Sequence, residues 1–126
     1  MTPTPPQPTR VLVVEDDLDT REFYEDLLTL EGYHVLGAGN GQAALAHAAA
    51  NQVQAIVLDR RLPDFDGVEL CGLLRQRVGS HVPIIFVTAD RDPELEGTAR
   101  TAGITEFLLK PFDFADLLDH VRRLTA

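Results

Sequence analysis

The sequence predicts an open, doubly wound α/β sheet of five parallel strands. Three observations predict it. Five short apolar runs alternate with longer segments whose apolar residues recur at helical spacing, so strand and helix alternate along the chain. Runs such as Val11-Leu12-Val13-Val14 and Ile84-Ile85-Phe86-Val87 are continuously apolar, the pattern of strands covered on both faces. Acidic or polar residues stand directly after four of the five runs. Strands joined through helices run parallel with right-handed crossovers, which distributes the helices over both faces. All strand carboxyl ends then meet along one edge, where such sheets carry their chemistry.

Each element has its own local reason. Met1–Thr9 holds four prolines and no large apolar residue after Met1, so it reads as a disordered or polyproline-like leader, with the folded domain over 10–126. Val11–Val14 is the first strand. The first helix runs over Asp17–Glu31, with Phe23, Leu27 and Leu30 as its inner stripe, and Gly32 ends it as a left-handed residue. Tyr33–Leu36 is the second strand, and a Gly-rich turn leads to an Ala-rich helix over Gln42–Asn51, with Leu45, Ala48 and Ala49 inward. Ala55–Leu58 is the third strand and stops at Asp59. After a polar loop, Asp66 caps a third helix, with Glu69 at the capping-box spacing and Val68, Cys71, Leu74 and Val78 as its stripe.

Pro83–Val87 is the fourth strand. Asp92-Pro93-Glu94 predicts an N-cap, an N1 proline and an acidic first turn for a fourth helix. That helix is thin, with only Leu95, Ala99 and Ala102 inward. Gly97 within it costs about 1 kcal/mol relative to Ala, and Gly103 closes it. Phe107–Leu109 is the fifth strand. Asp113–Leu124 is the last helix, with Phe114, Leu117, Val121 and Leu124 facing in.

Composition narrows the function. Among 126 residues, 11 Lys and Arg against 20 Asp and Glu leave a net charge of −9. That charge argues against direct nucleic-acid binding and against docking on anionic lipid, both of which reward a basic face. A single cysteine excludes an intrachain disulfide and a Cys-rich zinc site. Cys71 lies on the inner stripe of its helix and reads as a small buried hydrophobe. No apolar run is long enough to cross a bilayer, and no secretory signal follows Met1, so a cytoplasmic domain is expected.

The strand ends carry the chemistry. Glu15-Asp16-Asp17 follows the first strand, Asp59 ends the third, Thr88-Ala89-Asp90 the fourth and Lys110-Pro111 the fifth. One acid here, Asp17, is expected to cap the first helix, but three acids cannot share one helix end. Several carboxylates in one cleft repel, raise a pKa or hold a cation. With no His or Cys among them, the cation that suits carboxylates, phosphate oxygens and water is Mg²⁺. A Lys and a Thr at the same edge are donors for phosphate oxygens. Phosphoryl transfer onto a carboxylate, with Mg²⁺ offsetting the charge, is the chemistry these residues suggest. The four His residues show no ligand spacing.

The segments VLVVEDD, VLDRRLPDFDG, FVTAD and LLKPF resemble those of the receiver domain of bacterial two-component response regulators, over Arg10 to about Leu124. The resemblance implies a flavodoxin-like sheet of order 2-1-3-4-5 with five helices, an arrangement for which a chemotaxis receiver is a standard example. It implies a phosphorylation-dependent switch, not an enzyme acting on other substrates. Asp59 matches the phosphoacceptor, served by a sensor histidine kinase or a phosphotransfer protein. Glu15 and Asp16 match the acidic pair for Mg²⁺, and Arg61 the position that offers a backbone carbonyl to it. Thr88 and Lys110 match the residues that contact the phosphoryl group, and Phe107 the aromatic that rotates on activation. Lys110-Pro111 matches a cis bond. Arg61 and Asp90 match the two positions that flank the path of hydrolytic water, and their opposite charges suggest a salt bridge across the mouth of the pocket. The face of fourth helix, fifth strand and last helix is where a downstream effector would dock.

A dinucleotide-binding enzyme domain is the alternative. Gly39-x-Gly41-x-x-Ala44 has the G-x-G-x-x-G/A spacing, with Asp59 downstream. Against it, the glycines follow the second strand instead of the first, and the acidic edge would repel a pyrophosphate. No P-loop motif is present.

Overall fold

Strand and helix alternate without interruption through residues 8–126, the part of the chain that the computed structural model describes. In chain order the elements are β1 (Arg10–Val14), α1 (Leu18–Leu30), β2 (His34–Ala38), α2 (Gly41–Ala50), β3 (Ala55–Asp59), α3 (Gly67–Val78), β4 (Ile84–Thr88), α4 (Leu95–Ala102), β5 (Glu106–Leu109) and α5 (Phe114–Thr125). The strands form one parallel sheet in the order β2-β1-β3-β4-β5, as expected. From β1 the chain steps outward to β2, then returns past β1 to β3 and continues the other way. The order therefore reverses between β1 and β3, and that crevice receives the residues following both strands. The expected Pro-rich leader lies outside the described residues through position 7. Its last residue, Thr9, is part of the fold, because its carbonyl accepts from the His34 N–H at 2.9 Å.

Alternation along the strands divides the core into two layers. Leu12, Val14, Ile56, Leu58, Ile84 and Phe86 face α2, α3 and α4. Val11, Val13, Ala55, Val57, Ile85 and Val87 face α1 and α5. The central strands β1, β3 and β4 thus bury both faces, which is why their sequences are continuously apolar.

The helices follow the expected lengths, but not always the expected faces. On α1 the buried residues are Tyr24 and Leu28, one position beyond the predicted Phe23 and Leu27. Phe23 is 54 % exposed and Leu30 81 %. Tyr24 and Leu28, one turn apart, reach the layer shared with Leu117 and Val121 of α5. Phe23 instead meets the ring of Phe114 edge-on at the surface, with centroids 6.3 Å apart. On α2 the small residues Ala44 and Ala48 form the contact, with Ala49 exposed and Leu45 half-buried. On α3, Leu70 joins the expected Cys71 and Leu74 as fully buried, while Val68 and Val78 are half-buried.

Helix ends are set by local chemistry. Asp17 accepts from the Thr20 amide at 2.9 Å, the expected cap of α1, and Asp66 accepts from the Val68 amide at 2.9 Å. Gly32 and Gly103 take φ of 97° and 115°, the left-handed region that favours glycine, and close α1 and α4. The start of α4 differs from expectation. Asp92 bonds the Glu94 amide at 3.0 Å in a turn, so the helix begins only at Leu95, after Glu94, which makes no side-chain cap.

Candidate functional site

The register of the sheet brings the strand ends together. Val14 pairs with Leu58 and Asp59 with Val87, while Thr88 pairs with Leu109, so Glu15, Asp59, Thr88 and Lys110 follow one another across the same edge. Three of these side chains are polar and nearly enclosed: Glu15 is 4 % exposed, Asp59 7 % and Thr88 2 %. Such groups are costly to bury unless they are paired.

The pairing centres on Asp59. Its Oδ2 accepts from the Lys110 Nζ at 2.8 Å and its Oδ1 from the Arg61 amide at 3.1 Å. Lys110 Nζ also lies 3.7 Å from Glu15 Oε2. One ammonium thus faces two buried carboxylates. Burial, followed by the hydrogen bond and charge of Asp59, pushes Glu15 up to about 8, against pull from the Asp17 amide and Lys110. Burial and the neighbouring Asp59 therefore favour the protonated form of Glu15. Burial pushes Asp59 upward as well. The hydrogen bonds it receives from Glu15, Lys110 and the Arg61 amide outweigh burial and hold it below the ordinary carboxylate range. Desolvation likewise opposes the Lys110 ammonium, but its bond to Asp59 and the charges of Asp59 and Glu15 hold its pKa above the usual value. The two neighbouring carboxyls are thus driven in opposite directions, Glu15 upward and Asp59 downward.

Asp16 stands at the same edge with an exposed side chain. Among the described residues, no three His, Cys, Asp or Glu side chains converge closely enough to hold a metal by themselves. Mg²⁺ takes one or two carboxylates and keeps several waters, and every donor at this edge is oxygen. A second positive charge would also favour the carboxylate forms of Glu15 and Asp59. The residues fit Mg²⁺.

Thr88 is buried with its Oγ1 accepting from the Asp90 amide at 3.0 Å. It lies two residues after Phe86, on the same face of β4. Phe86 stacks on Phe107 of β5, with centroids 5.9 Å apart and planes at 23°. The buried hydroxyl and the half-buried aromatic thus belong to one column of side chains. The Lys110-Pro111 bond is cis, as expected.

The expected Arg61–Asp90 salt bridge is not made. Asp90 Oδ2 is bonded instead by Arg60, whose Nε also lies 3.4 Å from Asp66. The cause is in the backbone. The Arg60 amide still donates to the Val87 carbonyl at 3.1 Å, so Arg60 extends the β3–β4 pairing toward the loop that carries Asp90. Arg61 has already turned away, bridged to Asp66, with an exposed side chain. The Asp92 amide, against slight desolvation, and then the Arg60 charge hold Asp90 below the ordinary carboxylate range. Arg60 escaped the sequence reading although it adjoins Asp59; only the continued ladder reveals its direction.

The glycines of the dinucleotide-like motif lead to α2 from the edge strand β2, away from the reversal of strand order. The amides at the start of that helix are engaged already: Gly41 and Gln42 donate to Asp64, at 2.8 and 3.0 Å, and Ala43 to Asn40 at 2.7 Å. No cradle remains there for a pyrophosphate.

Comparison with known proteins agrees with this geometry. A family model described as the response regulator receiver domain matches residues 11–122. The response regulator MprA of Mycolicibacterium vanbaalenii is 41% identical over 118 residues, which are 93% of this chain and 50% of that protein. The chain therefore spans about half the length of the curated relatives it matches. A CheY-like response regulator receiver domain protein from Methanospirillum hungatei has a similar structure, with a TM-score of 0.88, 26% identity and 93% of each chain covered. The response regulator TrrA of Thermotoga maritima, solved in complex with Mg²⁺-BeF, is 30% identical with a TM-score of 0.81, over 92% of this chain and 98% of that one.

Proposed function

The chain belongs to the response regulator receiver domain family, and from that premise we propose that it is a phosphorylation switch with Asp59 as its phosphoacceptor. The observation that carries this reading is the buried Asp59 at the reversal of strand order, with Lys110 Nζ at 2.8 Å from its Oδ2. An anionic oxygen is a nucleophile, and the ammonium beside it is placed to balance the charge that a phosphoryl group adds.

The donor is a phosphohistidine on a sensor histidine kinase or phosphotransfer protein. An Asp59 oxygen forms the bond to phosphorus as the phosphorus–nitrogen bond breaks. The electron pair leaves on the imidazole nitrogen, which takes a proton from water. Asp16, Asp59 and the Arg61 carbonyl, with Glu15 close by, would hold Mg²⁺, which would supply charge neutralisation for the phosphoryl oxygens. TrrA, solved with Mg²⁺-BeF, supports that assignment by likeness. Lys110 stays on the acceptor and bonds the new group. For Thr88 to reach it, the hydroxyl gives up the Asp90 amide and vacates space beside Phe86 and Phe107. Phe107 then rotates inward, and the α4-β5-α5 face changes for a downstream effector. Phosphorylation thus biases a two-state equilibrium. Asp90, and Arg61 two residues after the acceptor, flank the water that ends the signal. No helix among the described residues is long and apolar enough to cross a membrane.

The test is incubation with a small acyl phosphate and Mg²⁺, followed by mapping of the adduct. The expected product is an acid-stable, base-labile adduct on Asp59, absent in Asp59→Asn. A stoichiometric adduct elsewhere, with none on Asp59, overturns the assignment.

A further inference from the structure

The loop between β3 and α3 is fastened to a helix with which it shares no neighbouring sequence. Asp64, at its tip, accepts from both the Gly41 and the Gln42 amides, at 2.8 and 3.0 Å, with one carboxylate oxygen on each. Those donors are among the free amides of the first turn of α2, which already has its own cap in Asn40. Asp64 is therefore a second acceptor at one helix end, brought from 22 and 23 residues away in the chain. Desolvation at that end works against its charge, but the Gly41 and Gln42 amides outweigh it and hold the carboxyl below its ordinary range. The next residue, Phe65, lies against Gly41 so closely that a Cβ there would stand 2.2 Å from the ring. At its base the same loop is closed by the Gly67 amide on the Arg60 carbonyl at 2.6 Å and by the Arg61–Asp66 bridge.

We infer that Asp64 is a positioning residue for the Mg²⁺ site: by fastening the loop tip to α2 it holds the segment that carries Arg61 in place beside Asp59. The inference rests on the functional reading above, since it assumes that Arg61 lends its carbonyl to the ion. The physical reason is entropic. A loop pinned only at its base would have to be ordered when the ion binds, whereas one pinned at base and tip is ordered beforehand. Groups that orient metal ligands without touching the metal have large effects on affinity.

The experiment follows backbone amide chemical shifts of ¹⁵N-labelled protein as MgCl₂ is added, with no phosphodonor present. In the wild type the amides of residues 15–17 and 59–61 shift and saturate. In Asp64→Ala the half-saturating Mg²⁺ concentration rises by on the order of tenfold. Asp64→Asn, which keeps one acceptor oxygen, falls between the two. Asn40→Ala removes the helix's own cap without touching the loop. It lowers thermal stability yet leaves Mg²⁺ binding at the wild-type level, a split that a merely structural role of Asp64 would not produce. Wild-type Mg²⁺ binding in both Asp64 variants overturns the inference, and so does an equal loss in Asn40→Ala. Should Asp64→Ala not fold, Asp64→Asn alone decides by the same comparison. If the wild-type amides do not respond to Mg²⁺, the metal assignment itself falls and takes the inference with it.

Discussion

Lys110 and Asp59 lie 51 residues apart in the chain and 2.8 Å apart in space, and Lys110 Nζ also lies 3.7 Å from the Glu15 carboxyl. Removing it leaves two enclosed carboxyls without a counter-charge. Lys110→Met is expected to lower stability at neutral pH by about 1–2 kcal/mol, less than for a fully buried pair because the Lys110 side chain keeps 31% of its exposure. It should also slow phosphorylation by acyl phosphate. Urea denaturation checks the first effect and single-turnover labelling the second. A variant as stable as the wild type at pH 7 would show that the ammonium is not offsetting the carboxylates.

Glu15 makes stability fall as pH rises. Its pKa is raised from 4.5 to about 8 on folding, so its contribution is complete below 4.5 and is lost as pH climbs through 8. Asp59 has the opposite sign, since its lowered pKa stabilises above its unfolded value and is lost in acid. Metal-free protein should therefore be more stable to urea at pH 5.5 than at pH 8.5, and Glu15→Gln should flatten that slope. Saturating Mg²⁺ should flatten it too, because the ion's charge favours the carboxylate form of Glu15. A metal-free slope of the opposite sign would contradict the assignment of the proton to Glu15.

Arg60, not Arg61, is the partner of Asp90. In a double-mutant cycle, Arg60→Ala and Asp90→Ala should be non-additive, with a coupling of no more than about 1 kcal/mol for this partly exposed pair. Arg61→Ala should show no coupling to Asp90. Loss of the guanidinium that crosses the mouth should also speed dephosphorylation in both Arg60→Ala and Asp90→Ala, by a shared amount. Additive effects on both stability and rate would mean that the two charges act separately.

The fourth helix should be the least protected. It has eight residues, no side-chain cap and an exposed Gly97 in its first half. Hydrogen exchange over 95–102 should be faster than over α5. A Cβ at Gly97 would meet nothing within 4 Å, so Gly97→Ala should stabilise by about 1 kcal/mol and slow that exchange. Equal protection of α4 and α5 in the wild type would refute this.

What the sequence by itself determined is what depends on neighbours along the chain. Continuous apolar runs are strands buried on both faces. Asp17, Asp66, Gly32 and Gly103 mark helix ends through bonds or backbone angles within a few residues. The parallel alternation then obliges Glu15, Asp59, Thr88 and Lys110 to emerge on one edge, so most of the site was legible before any coordinate. The tertiary structure alone decided which way a side chain turns once it leaves a regular element. The buried stripe of α1 is Tyr24 and Leu28 because the helix rolls toward α5, and a helical repeat has no information about roll when Phe23, Leu27 and Leu30 offer an equal alternative. Arg60 finds Asp90 because the β3–β4 ladder runs two residues past the apolar run, to the Arg60 amide. Asp64 finds α2 because the loop closes at its base and throws its tip across the sheet edge. Each of these is a contact between segments 20 or more residues apart. Its geometry is set by how whole elements pack, which no local spacing encodes.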